Sequence, residues 1–413
     1  MRSFQLPAGG EHLLPVEEAQ QRVLEEIVAG PSETVSLVES HRRVLREDVT
    51  AADDVPLADS SAMDGYALRA ADTQSAPARL RVVGEAAAGR RAAVRVEQGT
   101  AVRIMTGAPI PEGADAVAQV EITDGGAPNV TIGSAVKAGT NVRRRGEDMS
   151  SGAVILRAGT VIGAAEIAAL ATAGRATVKV GRRPSVAIIA TGDELVEAGR
   201  RGGVVNSNSY ALAALVRDAG GEPRMMEIVR DEREATIRAI EAALVSDFIL
   251  SSGGVSVGAY DFVKEALEAL GAEMKFWRVA MKPGKPVLVA RLRDRIFFGL
   301  PGNPASSMVS FHLFVAPALR KAAGQIDDLL PPAIRAITSS ALKGAADRRT
   351  YVRVRVVVRN GELHAEPIGV QGSHQVTSML QSNGLAVLEA ATGVVNAGSD
   401  VPVILTGAIT SSG

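Results

Sequence analysis

Ser251-Ser-Gly-Gly-Val-Ser-Val-Gly258 is a run of small residues between the apolar segment Phe248-Ile-Leu250 and a helical pattern from Asp261 to Leu270. A buried strand, a small-residue loop and a helix start, in that order, make an anion cradle. Glycine lets the backbone approach a phosphate, hydroxyls donate to it, and the helix N-terminus adds free N–H groups and a positive dipole end. The same order recurs at Ile188-Ile-Ala-Thr-Gly-Asp-Glu194 and at Phe297-Phe-Gly-Leu-Pro-Gly-Asn-Pro304. Around these loops, strands at Ser185–Ala190, Phe248–Leu250, Val287–Ala290 and Ile296–Leu300 alternate with helical patterns at Ser209–Ala219, Glu232–Val245, Asp261–Leu270 and Ala305–Ala323. The alternation predicts an α/β sandwich with a mostly parallel sheet, whose ligands bind beyond the carboxyl ends of the strands. Three cradles at one end of one sheet point to one large phosphorylated ligand.

The flanking segments read differently. Val16, Ala19, Val23, Leu24 and Ile27 share one face of an amphipathic helix over 15–29, with Pro15 in its first turn and Gly30 at its stop. From about 80 to 145 short alternating runs such as Leu80-Arg-Val-Val83 and Ala101-Val-Arg-Ile104 are broken by glycine and proline, the texture of a small β-barrel. An alanine-rich helix is expected over 164–174. Pro331-Pro332 marks a linker, and beyond it Tyr351-Val-Arg-Val-Arg-Val-Val-Val358 alternates with period two up to the hairpin signal Asn360-Gly361. The expected fold class is therefore α/β plus β and multidomain: a three-layer α/β domain, a small β-barrel-like domain, a connecting helical/β region and a C-terminal β domain.

At 413 residues with 46% apolar content, the chain is long enough for several well-packed units. A formal net charge of -1 argues against a nucleic-acid partner. There is no cysteine, which excludes disulfides, thiolate metal sites and thiol catalysis. The five histidines have no ligand spacing, so any metal would be a hard cation on carboxylates, magnesium first. No apolar run approaches the roughly 20 residues that span a bilayer, and no signal pattern opens the chain, so a cytoplasmic protein is expected.

Several residues stand out, each with a plainer alternative. Asp193 and Glu194 follow a buried strand directly, where Asp193 suits a cap and Glu194 suits a metal or substrate contact. Asp261 begins a helix and divides between the same two uses. Met281-Lys-Pro-Gly-Lys-Pro286 holds two lysines in a turn stiffened by proline ahead of a buried strand, which suits a small oxyanion better than solvent. Arg143-Arg-Arg-Gly-Glu-Asp148 reads most simply as a surface ion-pair loop, and Ser61-Ala-Met-Asp-Gly-Tyr66 as a turn. Trp277 is expected in the core, and Asn206-Ser-Asn208 as a helix cap.

Together, Ser61-Ala-Met-Asp-Gly-Tyr-Ala67, Met105-Thr-Gly-Ala-Pro-Ile-Pro111, Arg143–Asp148, Thr191-Gly-Asp-Glu-Leu195, Gly253–Gly258, Lys282–Pro286 and Gly299–Pro304 closely resemble, in order and over nearly the whole chain, the MoeA family of molybdopterin molybdenumtransferases. Ser60 and Glu389 depart from the usual family residues.

The resemblance implies an elongated homodimer. Each subunit would have a connecting, dimerising domain at 14–49 and 147–181, a small β domain at 50–146, an α/β molybdopterin-binding domain at 182–328 and a C-terminal β domain at 329–413. The implied activity is magnesium-dependent insertion of molybdate into adenylylated molybdopterin with release of AMP. Molybdopterin adenylyltransferase and molybdoenzyme chaperones are the implied protein partners, with no membrane or nucleic-acid partner. Carried over by position, Asp64, Thr106 and Asp148 would act across the dimer, in a cleft shared with Glu194, Asp231, Asp261, Lys282 and Lys285 of the other subunit. Glu194 and Asp261 would hold the magnesium. Substrate contacts fall at Gly192, Asp193, Ser251, Gly253, Gly254, Ser256 and Gly258, at Pro301, Gly302 and Asn303, and at Arg353 and Ser378 of the last domain.

Overall fold

Period-two alternation along the Ser185–Ala190 strand sends Val186 and Ile188 into one buried core and Ala187 and Ile189 into another. The neighbouring Phe248–Ser252 strand does the same with Phe248 and Leu250 against Ile249. Each face is covered by helices. Val16–Glu25, Ser207–Asp218 and Ala316–Ala323 lie on the first, and Arg233–Ala243 and Phe262–Ala269 on the second. These three layers belong to a computed structural model that describes residues 13–89, 93–254, 262–369 and 371–411.

The six strands run in the order Glu222–Met225, Ser185–Ala190, Phe248–Ser252, Arg295–Leu300, Leu288–Leu292, Glu273–Trp277. The first four are parallel. Leu288–Leu292 is reversed, forming a hairpin with Arg295–Leu300 through a turn at Arg293, whose φ is 54°. The reversal matters for the site. Leu288 registers with Gly299, so the lysine turn that precedes it lies at the carboxyl end of the parallel strands, beside the Gly-rich loops.

The helix expected over Ala305–Ala323 is three pieces: Pro304–Ser310, a wider π-helical turn Phe311–Val315, and Ala316–Ala323. Pro317 has no N–H for the Leu313 carbonyl four residues back. That carbonyl instead accepts from Gln20 Nε2 at 3.1 Å, which pins the N-terminal helix to the α/β core. Gln20→Ala should lower stability by roughly 1 kcal/mol, read as a drop in the urea midpoint. An unchanged midpoint would mean the carbonyl finds another donor. On the same turn, burial first and Arg320 second push the His312 imidazole down to about 4. The unfolded chain takes up that proton near 6.5. Stability should therefore be complete above that pH and fall as pH drops toward about 4. His312→Gln should flatten this limb in thermal melts taken from pH 7 to pH 4.

Residues 65–132 form a barrel-like sheet of five strands in the order Ala116–Gln119, Gly65–Leu68, Thr100–Ile104, Ala78–Ala86, Asn129–Ile132. Tyr66 and Leu68 pack on one side and Ala67 on the other. Ser32–Ser36 pairs with Thr177–Gly181, and the Ala164–Thr172 helix packs near Val154–Leu156. In the C-terminal sheet, Arg349–Arg359 and Glu362–Pro367 pair around Asn360 and Gly361, both at positive φ as the hairpin signal requires. The same sheet takes in Met281–Lys282, which pairs in parallel with Arg349–Thr350.

Candidate active site

Two clefts meet at the carboxyl end of the central sheet. The first, of about 680 Å³, is lined by Thr191, Gly192 and Glu194, by Ser252–Gly254 and by Gly302. Gly254 has φ +70°, and a Cβ there would stand 2.4 Å from Val263 Cγ2, so only glycine fits. Asn208 Nδ2 donates to Ser252 Oγ at 2.8 Å and to the Gly302 carbonyl at 2.7 Å, tying two of the loops together. Its helix is capped as expected, Asn206 Oδ1 accepting from the Ser209 N–H at 3.3 Å. Ser252 faces the cleft, whereas Ser251 is buried behind it with a hydroxyl that has no partner among the described residues. Pro301 is likewise buried.

Three carboxylates gather here. The Asp193 N–H donates to Asp231 Oδ2 and the Asp231 N–H to Asp193 Oδ1, both at 3.3 Å. Burial first, and then the charges of Asp193 and Glu194, raise the Asp231 carboxyl above its ordinary range. Asp261, Ser256 and Gly258 lie outside the described residues. Among the described residues no three acidic or imidazole groups form a complete metal cage.

The second cleft, about 870 Å³, is lined by Lys282 and Lys285 from the turn, by Arg353 from the C-terminal sheet, and by Lys343 and Arg348 from the segment that leads into that strand. Arg353 is 1% exposed. Its Nη2 donates to the Gly372 carbonyl at 3.3 Å, its Nε has no partner among the described residues, and burial lowers its basicity. Arg349 is different, because Glu389 at 2.7 Å and Glu17 neutralise it. Ser378 is buried and donates to the Gln375 carbonyl at 2.7 Å, so it shapes the 372–375 turn and does not line either cleft. Asn303 lines both clefts, and its Nδ2 donates to Ser373 Oγ at 3.1 Å.

The barrel residues form a separate group. Asp64 Oδ1 accepts from the Thr106 N–H at 2.7 Å and from Thr106 Oγ1 at 2.8 Å, which holds the Asp64 carboxyl below the usual range. Asp148 is exposed on the next loop, its N–H donating to the Val55 carbonyl at 3.0 Å. That loop does carry ion pairs, but to acids outside it rather than to its own Glu147 and Asp148: Arg144 to Asp59 at 2.6 Å and Arg145 to Asp54 at 2.5 Å. None of Asp64, Thr106 and Asp148 lines the two clefts of its own chain. Trp277 is half-buried rather than fully in the core, with Lys264 Nζ and Arg278 Cζ 4.8 and 4.2 Å from its ring centre. Sequence reasoning missed Asn208, which it assigned only to capping, and Ser306, Lys343 and Arg348, which no motif marks.

A glycine-lined cleft beside a cationic one, on a chain that joins an α/β sandwich to separate β sheets, has the layout of a multidomain enzyme. Comparison with known proteins narrows the class. Residues 14–174 match the MoeA N-terminal region (domain I and II), 187–321 a probable molybdopterin binding domain, and 335–406 the MoeA C-terminal region (domain IV). The molybdopterin molybdenumtransferase of Haemophilus influenzae is 36% identical over 400 residues, covering 95% of this chain and 98% of that protein. That of Bacillus subtilis is 37% identical over 406 residues, covering 95% and 94%. The crystal structure of the molybdopterin biosynthesis moeA protein from Pyrococcus horikoshii superposes with a TM-score of 0.83 at 30% identity, over 95% of this chain and 100% of that one. The chain belongs to the MoeA family of molybdopterin molybdenumtransferases, transferases of molybdenum cofactor biosynthesis. No helix among the described residues is long and apolar enough to cross a membrane.

Proposed function

We propose that this chain inserts molybdate into adenylylated molybdopterin and releases AMP, with the adenylylated pterin in the glycine-lined cleft and molybdate in the cationic one. The observation that carries the reading is the shared wall: Asn303 lines both clefts, so ligands filling them would lie side by side. Molybdate is a dianion and the pterin carries phosphates and a dithiolate. Their repulsion costs about 1 kcal/mol per charge pair at about 4 Å in water, and more where water is excluded. Lys282, Lys285 and the buried Arg353 offset it on the oxyanion side, and the amide of Gly254 on the phosphate side, since the Gly253 N–H is already given to the Leu300 carbonyl at 3.0 Å. Hydrolysis of the adenylate anhydride then drives the step and removes a charged product.

Glu194, with Asp261 and Asp231, would hold magnesium. The crowding of Asp231 by Asp193 and Glu194 fits a site that gains from a cation. When bound, the ion supplies charge neutralisation at the anhydride oxygens. Asp64 and Thr106, held together in the barrel, and the exposed Asp148 would complete the site from the other subunit of a cytoplasmic homodimer. Supplying purified protein with adenylylated molybdopterin, molybdate and magnesium tests this reading: AMP and molybdenum-loaded pterin should appear together. Consumption of ATP with unmodified molybdopterin instead would make the chain an adenylyltransferase.

A further inference from the structure

At the opposite end of the α/β domain from both clefts lies a third cavity, of about 660 Å³. Arg183 enters it just before the first residue of the Ser185–Ala190 strand, and Arg217 from the last turn of the Ser207–Asp218 helix. Arg320 comes from the last turn of the Ala316–Ala323 helix, and Arg42 and Arg43 from the loop after residues 38–40. Five guanidinium groups face two lining carboxylates, Asp218 and Asp328, and Glu33 pairs with Arg43, which leaves two positive charges over.

The plainest explanation is that cations complement the negative ends of two helices. It accounts for Arg217 and Arg320 and not for the other three. Arg43 is paired, with Glu33 and with the Gly181 carbonyl at 2.7 Å. Among the described residues the side chains of Arg42, Arg183 and Arg217 have neither an ion pair nor a hydrogen bond. Arg183 is half-buried, and burial first and the Arg43 charge second lower its basicity, with Glu222 and Glu33 opposing more weakly. Arg320 is lowered by burial as well, although it donates to the Leu329 carbonyl at 2.9 Å. Among the described arginines the only other one lowered in this way is Arg353, in the cationic substrate cleft. Desolvated cations that repel one another are costly unless an anion joins them.

We propose that this cavity is a second anion site, separate from the substrate clefts, that takes a small phosphorylated compound carrying two or more negative charges. Planar guanidinium groups bind phosphate oxygens in pairs. The volume exceeds what one phosphate fills. The lining has no aromatic ring except the His41 imidazole, which favours a compact polyphosphate over a stacked nucleobase. The cavity is built from the 41–44 loop, the α/β domain and the segment at Asp328 and Pro332 that leads to the C-terminal sheet. An occupant would brace those three parts against one another.

Inorganic pyrophosphate is the probe, titrated calorimetrically into the intact protein. Since it also suits the cationic cleft, the titration is done on Lys282→Ala/Lys285→Ala protein. Binding should persist there, weaken as salt rises, raise the melting temperature, and fall at least about tenfold on adding Arg183→Ala. Arg217→Ala, at an exposed position, should have the same sense and covers the case in which Arg183→Ala does not fold. Absence of binding in the Lys282→Ala/Lys285→Ala protein overturns the proposal, as does affinity indifferent to both arginine changes. So does an arginine variant whose subunit count changes by light scattering while pyrophosphate never binds, because the cavity would then be filled by a partner's carboxylates.

Discussion

Replacing Lys282 and Lys285 together with alanine is expected to lower molybdenum incorporation by at least about a hundredfold while leaving the affinity for adenylylated pterin nearly unchanged. Both lysines line the cationic cleft and neither lines the glycine-lined one. Removing them deletes two of the charges that draw in a dianion, while Arg353 and Arg348 remain. Residual capture should therefore be weak and strongly salt-dependent, not zero. Equilibrium dialysis with radioactive molybdate, beside AMP release from pre-bound adenylylated pterin, separates the two affinities. A double variant that holds molybdate as well as the parent would take the lysines out of the site and leave Arg353 to carry it.

Gly65→Ala is expected to be the most damaging single methyl group in the barrel. A Cβ at residue 65 would stand 2.0 Å from the Ala118 carbonyl oxygen and 2.9 Å from its carbon, both backbone atoms that no rotamer change can move aside. Gly65 registers with Ile104 on one side and Gln119 on the other, so the strand has no free edge toward which to shift. The expected loss is about 3 kcal/mol, read from chemical unfolding. The neighbouring Asp64 should also lose its two bonds from Thr106 as the backbone moves. Turnover should then fall further than stability alone explains, with molybdate affinity intact, because the lysine cleft is in another domain. An unfolding midpoint equal to the parent's would show that the two strands separate at little cost.

Much of the fold was legible because strand, small-residue loop and helix each leave a local imprint. Ser185–Ala190, Phe248–Ser252 and Arg295–Leu300 fall where the apolar runs place them. The direction of Leu288–Leu292 was not legible, since hydrophobic runs carry no arrow and the turn at Arg293 has no glycine to announce it. The edge strand Glu222–Met225 carries a proline and almost no apolar pattern, and its pairing with Ser185–Ala190 is what makes it a strand. At the site, the glycine loops and the lysine turn declared themselves through composition. Asn208 and Ser373 did not, because their roles depend on which loops the fold brings within 3.1 Å of them. Arg349 and Arg353, four residues apart on one strand, look alike in the sequence. The structure separates them, since only one meets Glu389 and Glu17.

The two-residue ladder between Met281–Lys282 and Arg349–Thr350 makes the lysine turn common property of two sheets. Neither half of the chain owns the cationic cleft; it exists only at their seam. A chain reduced to the α/β unit would keep the glycine-lined cleft and forfeit the lysine-lined one.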